Sequence, residues 1–409
     1  MNMDDFVSFV RQVFDMPEGQ IILHDPRFIG NERKYLIDAM DSNFVSSVGE
    51  YVSKFEKAVI DYTGAKYAIA AVNGTSALHI SLLLAGVEKD EEVITQPVSF
   101  IATCNAITYA GAHPVFVDVS LKTMGMCPEK LEVFLKENAT RHPNGKTYNN
   151  KTGRRFAAVV PMHTFGHPCE IGRIAEICEN YHIPLVEDAA ESIGSFYKGK
   201  HTGLFGKLGA LSFNGNKVIT TGGGGMILTD DEELAKRAKH ITTTAKLPHR
   251  WEYRHDYTAY NYRLTNLAAA LGCGQIEQLD FFIQEKRKLV EKYKAYFADQ
   301  AEITFFTEPE DCRSNYWLNA VILKDRNARD EFLQYTNDHG IMTRPIWVLS
   351  NKLDMYRGCH CGDLSNAEWL EDRVVNIPSS VIIKDYYKKI SDPQFNPCLL
   401  YTSPSPRDC

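Results

Sequence analysis

Short apolar runs alternate with helical patterns along the chain from about residue 51 to residue 245. The runs are rich in Val, Ile, Leu and Ala, and most are separated by stretches such as IGRIAEICENYH, whose apolar residues recur every three or four positions. Such alternation is typical of a mostly parallel sheet with helices on both faces, because each parallel connection must cross back over the sheet. We therefore predict an α/β large domain whose mostly parallel sheet has about seven strands.

The sequence pattern changes after residue 250. A long helical stretch is followed by two strand-like segments, YWLNAVILK and VVNIPSS, on either side of the helical segment NARDEFLQYTNDHG. We assign residues 1–20 to an N-terminal amphipathic helix, 21–250 to the large domain and 251–392 to a smaller α+β domain. Residues 393–409 are rich in Ser and Pro and follow neither pattern, so we expect an atypical tail of artefactual origin.

Composition argues against several classes of function. The 45 basic and 52 acidic residues give a net charge of −7, which disfavours nucleic-acid binding through a basic surface. Only Cys359 and Cys361 lie close together among the ten cysteines, so we predict reduced thiols and no metal site. No signal-peptide pattern begins the chain, and no apolar run approaches the roughly 18 residues of a membrane span. We therefore expect a cytoplasmic protein that does not bind a membrane.

Polar side chains end several of the predicted strands, among them His163, Asp188 and Ser212. Ligands of open α/β sheets bind at the carboxyl ends of the strands. Lys217 follows Ser212 in the segment SFNGNK, so a lysine and a carboxylate stand after neighbouring strands. This pair suits pyridoxal phosphate (PLP), whose aldehyde forms a Schiff base with lysine and whose ring nitrogen pairs with an acid. Asp188 as a helix N-cap and His163 as a structural histidine are the alternatives.

A phosphate site and a stacking ring would complete a PLP pocket. In the segment NGTSALH a strand turns into a helix, so the N–H groups and hydroxyls of Thr75 and Ser76 would lie where an anion is stabilised. Phe100, at another strand end, offers a ring. Each feature alone also fits an ordinary helix cap or a core position. The glycine run 222–225 precedes a strand and not a helix, so we expect a tight turn there that passes close to the cofactor and a partner subunit, and no phosphate site.

Five blocks of the chain stand in a characteristic order: GEYVSKFEKAVIDYTGAKYAIAAVNGTSALH, PVSFIATCNAITYAGAHPVFVDV, EDAAESIGS, SFNGNK and YNYRLTNLAAALGCGQIEQLD. With them the chain resembles the DegT/DnrJ/EryC1/StrS family of PLP-dependent sugar aminotransferases over about residues 21–390. The resemblance implies PLP-dependent transferase fold type I, which is aspartate aminotransferase-like, with a large and a small domain.

The resemblance implies a role for each matching residue. Lys217 forms the Schiff base and Asp188 pairs with the ring nitrogen, so these two are the catalytic residues. Thr75, Ser76 and Ser212 hold the phosphate, and Phe100 stacks on the ring. An Asn from the neighbouring subunit, here Asn261, completes the phosphate site of a homodimer with shared active sites. The full cofactor-binding set is Thr75, Ser76, Phe100, Asp188, Glu191, Ser212, Lys217 and Asn261. Candidate substrate contacts are Ser47, His163, Arg344 and Trp347.

Glu191 departs from the pattern of many family members, which have Gln at the position that contacts the ring oxygen of the cofactor. A carboxylate beside a phenolate oxygen requires the two groups to share a proton. Glu at this position is similar to a LegC-like subset, as are the segments FIGNERKYLIDAMDSNFVSSVGEYV and SFNGNKVITTGGGG. This similarity implies glutamate as the amino donor and a UDP-linked 4-keto-6-deoxy N-acetylated hexose as the acceptor, in bacillosamine- or legionaminic-acid-type synthesis.

Four alternatives remain open from the sequence. The substrate can be another nucleotide-linked keto sugar, carrying dTDP or GDP and aminated at C3 or C4. The protein can also be a PLP-dependent decarboxylase or lyase, or a non-catalytic sensor of PLP or a nucleotide sugar, although an intact Lys217 and Asp188 argue against a sensor. A dinucleotide oxidoreductase would need G-x-G-x-x-G between a strand and a helix, which the glycine run does not provide.

Substitution of Lys217 tests the Schiff-base assignment directly. The variant Lys217→Ala should lose the visible absorbance of lysine-bound PLP, because alanine has no amine to bond the aldehyde. Wild-type protein treated with the same PLP provides the reference spectrum. Retention of the absorbance in the variant would refute the assignment.

Overall fold

The computed structural model describes residues 2–384 and residue 386, and the predicted tail, residues 393–409, lies outside them. The α-helices in this part of the chain are α1 (Met3–Phe14), α2 (Glu32–Asp41), α3 (Glu50–Thr63), α4 (Gly74–Leu84), α5 (Ala102–Tyr109), α6 (Pro128–Asn138), α7 (Ile171–Asn180), α8 (Glu232–Thr242), α9 (Asn266–Ile276), α10 (Leu279–Phe297), α11 (Arg326–Asp338) and α12 (Ser365–Glu371). Short 3₁₀ turns span Thr164–Gly166 and Ser350–Lys352. No helix of the described residues is long and apolar enough to cross a membrane.

The strands of the described residues form two large-domain sheets, one small-domain sheet, a short three-stranded sheet and a two-stranded hairpin. They are β1 (Tyr67–Ala71), β2 (Glu92–Thr95), β3 (His113–Phe116), β4 (Ala139–Arg141), β5 (Thr147–Asn149), β6 (Phe156–Val160), β7 (Val186–Asp188), β8 (Phe196–Tyr197), β9 (Lys200–His201), β10 (Leu208–Ser212), β11 (Gly225–Thr229), β12 (Ile303–Phe305), β13 (Cys312–Arg313), β14 (Asn319–Leu323), β15 (Arg344–Pro345) and β16 (Val374–Ile377).

Hydrogen bonding divides the predicted large sheet into a four-stranded sheet, β1-β11-β10-β7, and a three-stranded sheet, β3-β2-β6. Two isolated parallel bridges, Val159 with Leu185 and Met162 with Asp188, lie between β6 and β7 and bring the two sheets side by side. The hydrogen bonds between β6 and β7 do not continue as a regular ladder, because Pro161 and Pro184 have no N–H to donate. The pairing of β10 with β7 and of β2 with its neighbours is parallel, whereas β11 is antiparallel to both strands beside it.

Helices cover both faces of the large-domain strands, as the alternation predicted. On β11, Ile227 faces a core that includes residues of α4 and α8. Its neighbours Met226 and Leu228 face the opposite core, which includes residues of α3 and α9. Successive side chains of a strand point to opposite faces, so a strand buried on both sides must be apolar throughout. The packing of α9 against α2 and α3 carries the large-domain core past the predicted boundary at residue 250.

The small domain is built on the antiparallel sheet β12-β14-β16-β15. Its core joins this sheet to α1, α10 and α11, and the N-terminal helix contributes Phe6, Val10 and Phe14. The ring of Phe6 packs 5.1 Å from the ring of Phe332 on α11. The apolar stripe of the predicted amphipathic helix is therefore buried against the small domain.

Asp118 joins the two domains through the start of α12. This buried residue follows β3, and its carboxylate accepts N–H groups from Asn366 and Ala367, each at 2.9 Å. The first N–H groups of a helix have no partner within the helix, so a buried helix start needs such an acceptor. The carboxylate thus supplies a cap from a position far away in the sequence.

The variant Asp118→Ala should destabilise the protein by about 2–4 kcal/mol, because it leaves the N–H groups of Asn366 and Ala367 unsatisfied. Denaturant unfolding measures the loss. The matched control is Asp354→Ala, where an exposed pair with Arg357 should be worth at most about 1 kcal/mol. Equal losses in the two variants would contradict the capping role of Asp118.

Candidate active site

Lys217 lies in the connection between β10 and β11, at the carboxyl end of β10. Its backbone N–H donates to the carbonyl of Asn214 at 3.0 Å, which closes a turn and directs the side chain inward. The Nζ atom lies 3.3 Å from Oε1 of Glu191 and 3.8 Å from the centroid of the Trp317 ring. A largely buried amine thus stands between a carboxylate and an aromatic face.

Asp188 ends β7, the strand that pairs with β10, and its side chain is buried. One carboxylate oxygen accepts the hydroxyl of Thr103 at 2.6 Å and the other accepts the N–H of Ala190 at 3.1 Å. Burial raises the pKa of Asp188, and these hydrogen bonds and the charge of Lys217 oppose the rise. A carboxylate has about four acceptor positions, so Asp188 retains capacity for a further donor such as a ring N–H.

Glu191 follows Asp188 by one short turn and is held by a backbone donor. Its Oε2 accepts the N–H of Phe165 at 2.9 Å, while Oε1 faces Lys217. Phe165 adopts φ 57, the left-handed conformation that directs its N–H toward this carboxylate. Burial raises the pKa of Glu191 to about 7, although Lys217 opposes the rise. The group can therefore gain or lose a proton near neutral pH.

An anion cradle forms where the start of α4 meets the end of β10. Asn73 caps the helix by accepting the N–H of Ser76 at 2.7 Å. Gly74 lets Ser212 approach, because a Cβ at Gly74 would lie only 2.7 Å from the Cβ of Ser212. Thr75 stands in the same first turn of α4. The three residues predicted to hold a phosphate are thus brought together at a helix N-terminus, which favours an anion.

Gly225, the last residue of the glycine run 222–225, has a packing role at this anion cradle. A Cβ on Gly225 would lie 2.3 Å from the carbonyl oxygen of Asn73. Only a glycine permits β11 to pass so close to the loop before α4. This approach is to the loop before α4, whereas the predicted approach of the glycine run to the cofactor and the partner subunit stays a prediction.

Phe100 presents an exposed ring beside the site. The side chain, two residues before α5, is 52% exposed, which is unusual for a phenylalanine. Its ring packs edge to face against the ring of Trp347, with 6.4 Å between the ring centroids. The rings of Trp347 and Phe165 are in contact in turn, with 5.0 Å between their centroids. The structure therefore brings together Phe100, predicted to stack on a cofactor, and Trp347, predicted to contact substrate.

His163 lies beneath Asp188 and is fully buried. Its backbone N–H donates to the carbonyl of Asp188 at 3.2 Å. Both ring nitrogens have partners, Nε2 with Glu187 at 3.0 Å and Nδ1 with the N–H of Cys169 at 3.1 Å. These contacts occupy the groups with which His163 would bind a substrate.

Ser47, Asn261 and Arg344 stand apart from the lysine. Among the described residues, none of their side chains forms a hydrogen bond or ion pair with Lys217, Asp188 or Glu191. The guanidinium of Arg344 donates instead to the side chain of Asn337 at 3.0 Å. Asn261 is exposed on the segment that follows α8, and Ser47 lies in the loop before α3.

Four side chains of the site had no role in the sequence analysis. Thr103 binds Asp188, and its place one helical turn after Phe100 is the signal that could have identified it. Asn73 immediately precedes the predicted anion site and is a typical N-cap residue. Trp317 and Asn315 come from the small domain, about 100 residues after Lys217, and no local pattern marks them.

The residues of the site fit PLP on chemical grounds. An amine for the aldehyde, a buried carboxylate for the ring nitrogen and a cradle for the phosphate surround one region, with an exposed aromatic ring beside it. Each group of PLP thus has a residue of matching chemistry.

Comparisons with known proteins show the family of the chain. The sequence profile of the DegT/DnrJ/EryC1/StrS aminotransferase family matches residues 27–388. A GDP-perosamine synthase of Escherichia coli O157:H7 is 36% identical over 88% of this chain and 93% of the relative. A UDP-4-amino-4,6-dideoxy-N-acetyl-beta-L-altrosamine transaminase of Campylobacter jejuni is 33% identical over 68% of this chain and 66% of the relative.

Solved structures show the same architecture. The aminotransferase TlmJ from Streptoalloteichus hindustanus superposes with a TM-score of 0.81 at 26% identity, over 90% of this chain and 95% of that one. The comparisons confirm the predicted family and the predicted fold type I.

Stability of the PLP-free protein should depend on pH through Glu191. The folded pKa of about 7 lies above the ordinary value of 4.5, so protonated Glu191 stabilises the fold, fully below about pH 4.5, and this stabilisation is lost as pH rises through about 7. The free energy of unfolding of wild type, relative to that of the variant Glu191→Gln, should fall by on the order of 3 kcal/mol between about pH 5 and about pH 8. Urea unfolding of both proteins measures the difference, and a difference that stays constant over this range would contradict the pKa.

Proposed function

Because the chain belongs to the DegT/DnrJ/EryC1/StrS aminotransferase family and is a PLP-dependent sugar aminotransferase, we propose that it aminates a UDP-linked 4-keto-6-deoxy N-acetylated hexose at C4 with glutamate as the donor. The observation that carries the proposal is the buried Lys217 amine beside Glu191, where many family members have Gln. The relative from Campylobacter jejuni, a transaminase named for a UDP-linked 4-amino sugar, supports the same substrate class. The product would enter surface-sugar synthesis of the bacillosamine or legionaminic acid type.

Lys217 has two tasks in the proposed reaction. It holds the cofactor covalently, and after release its amine removes the proton from Cα of glutamate and, in the second half of the cycle, delivers a proton to C4 of the sugar. PLP, when bound, supplies an electron sink for the negative charge left on the deprotonated carbon. The position of Lys217 at the end of β10, with its amine directed into the site, suits both tasks.

Asp188 and the cradle orient the cofactor in this proposal. Asp188 accepts the ring N–H and keeps the ring nitrogen protonated, while Thr103 and Ala190 fix the carboxylate in place. Thr75, Ser76 and Ser212 donate to the phosphate at the start of α4. The ring of Phe100 covers one face of the cofactor and excludes water from it.

Glu191 holds a proton next to the ring oxygen in this proposal. Its carboxyl group, with a pKa of about 7 because of burial, can donate to the ring oxygen when protonated and can pair with the Lys217 ammonium when ionised. The N–H of Phe165 keeps Oε2 in one orientation, so that Oε1 faces the reacting amine. A Gln at this position would donate but could not change its charge.

A second copy of the chain completes the site in this proposal. Large apolar side chains close to Ser47 or Asn261 in the sequence are exposed, among them Val48 at 66%, Trp251 at 69% and Tyr253 at 79%. Exposed apolar side chains of this size are available for an interaction surface. A homodimer would cover them and let the partner subunit's Asn261 reach the phosphate. Ser47 and Trp347 would then contact the sugar nucleotide at the opening of the site.

A GDP-linked 4-keto-6-deoxy sugar is the second candidate substrate. The GDP-perosamine synthase of Escherichia coli O157:H7 is more similar to this chain than the UDP-sugar transaminase is, at 36% against 33% identity and over a larger share of the chain. The two candidates share the keto group at C4 and differ in the nucleotide and in the N-acetyl group.

A panel of nucleotide sugars distinguishes the candidates. The PLP-loaded enzyme with glutamate should convert the UDP-linked N-acetylated 4-keto sugar at least about 100-fold more efficiently, in kcat/KM, than GDP- or dTDP-linked 4-keto sugars. Mass spectrometry identifies the amino sugar, and an enzymatic assay measures 2-oxoglutarate. Lys217→Ala serves as the inactive control.

The results separate the alternatives. Preference for the GDP-linked sugar would replace the proposed substrate with the second candidate. Absence of both amino sugar and 2-oxoglutarate with every substrate would refute the aminotransferase reaction on nucleotide sugars.

A further inference from the structure

The indole of Trp317 covers the amine of Lys217 from the small domain. The Nζ atom lies 3.8 Å from the ring centroid, well within the distance at which a cation is attracted to the face of an aromatic ring. The indole N–H donates to the carbonyl of Asn216 at 2.6 Å, so the ring is also bonded to the residue that precedes the lysine. Trp317 is therefore fixed to both the main chain and the side chain of the lysine turn.

Two buried polar side chains hold Trp317 in place. The N–H of Trp317 donates to Oδ1 of Asn315 at 2.8 Å, and the carbonyl of Trp317 accepts from Nζ of Lys286 at 3.1 Å. Lys286 lies on α10 and is fully buried. Every backbone and side-chain polar group of Trp317 thus has a partner, which leaves the ring a single orientation over Lys217.

Asn315 ties Trp317 to the segment that carries Glu191. Its side-chain amide donates to the carbonyl groups of Glu191 and Ile193, each at 2.9 Å. The carboxylate and the indole that flank the lysine amine are therefore held at a fixed separation. An ammonium between them has an anion on one side and a π face on the other.

The half-reaction with glutamate changes the bonding of Lys217 and needs no outside oxidant. Lys217 gives up its C–N bond to the cofactor, the nitrogen of glutamate is transferred to form pyridoxamine phosphate, and one water supplies the oxygen of 2-oxoglutarate. Lys217 ends as a free ammonium with a full localised charge and three N–H groups. Bonded to the cofactor, the same nitrogen has at most one N–H and shares its charge with the ring. Contacts that favour a localised cation therefore favour the released state.

We propose that Trp317 is a positioning residue that stabilises Lys217 in its released, protonated form and so shifts the enzyme toward the pyridoxamine phosphate form. This inference rests on the proposed function, since only a lysine that bonds the cofactor alternates between the two states. The same contact assists removal of the Cα proton, because that step converts the Lys217 amine into the ammonium that the indole favours.

The test is the equilibrium between the two enzyme forms at fixed ratios of glutamate to 2-oxoglutarate. The visible absorbance of lysine-bound PLP reports the fraction of each form in the holoenzyme. Trp317→Leu should require about a tenfold higher ratio for half conversion, and Trp317→Phe about a two- to threefold higher ratio, because phenylalanine keeps a smaller π face. Both variants lose the bond to Asn216, so equal shifts in the two would overturn the assignment to the ring face.

Trp369 provides the matched control. It lies on α12, and the guanidinium of Arg373 stands over its ring at 4.7 Å, so it also forms a cation–π pair. Trp369→Leu should leave the half-conversion ratio unchanged, and a shift as large as that of Trp317→Leu would overturn the inference.

The remaining outcomes separate this inference from the proposed function. If Trp317→Leu binds one PLP per chain and its glutamate to 2-oxoglutarate ratio at half conversion is unchanged, the role of Trp317 is overturned and the proposed function is left intact. If Trp317→Leu does not bind PLP, an unchanged half-conversion ratio in Trp317→Phe overturns the role of Trp317 in the same way. Wild type that neither bonds PLP through lysine nor exchanges with glutamate refutes the proposed function, and the inference with it.

Discussion

The buried pair of Lys217 and Glu191 is the interaction on which the site depends. Removing two charges from water costs more than their attraction returns unless further polar groups compensate. The N–H of Phe165 supplies one such group to the carboxylate, and the π face of Trp317 supplies another to the amine. The left-handed backbone at Phe165 and the fixed indole are therefore consequences of placing a reactive amine beside a carboxylate in the protein interior.

The same requirement links the two domains at the site. The turn that carries Phe165 continues into Gly166, whose carbonyl accepts hydroxyls from Ser195 of the large domain and Ser314 of the small domain. Gly166 has φ +91, and a Cβ there would lie 1.9 Å from Oδ1 of Asn315, so only glycine fits. Movement of the small domain would disturb the groups around Lys217 directly, because Asn315 and Trp317 belong to it. The surroundings of Lys217 and the arrangement of the two domains are thus coupled through short-range contacts.

Features with a local signal could be predicted from the sequence, and features without one could not. The apolar stripe of α1 and the strand ends at Asp188 and Ser212 follow from side-chain periodicity, which any short window displays. The convergence of Ser212 with the start of α4 followed from the family resemblance together with the rule for strand ends. The break between β6 and β7 was missed, although Pro161 and Pro184 are visible in the sequence, because prediction of strands from apolar runs ignores which strands pair. Packing of α9 with the large domain was missed because a helical pattern does not specify its partner.

The sequence alone determined the α/β architecture, the family and the cofactor chemistry, and it predicted Lys217 and Asp188 as the catalytic residues, since these depend on residue types and on their order along the chain. Only the tertiary structure decided how the lysine is surrounded. Thr103 against Asp188, Asn315 behind Glu191 and Trp317 over Lys217 are contacts between residues about 80 to 130 positions apart. Such contacts arise when whole elements pack together, and no periodicity within a single element encodes them. The burial that raises the pKa of Glu191 likewise exists only once the domains have closed around it.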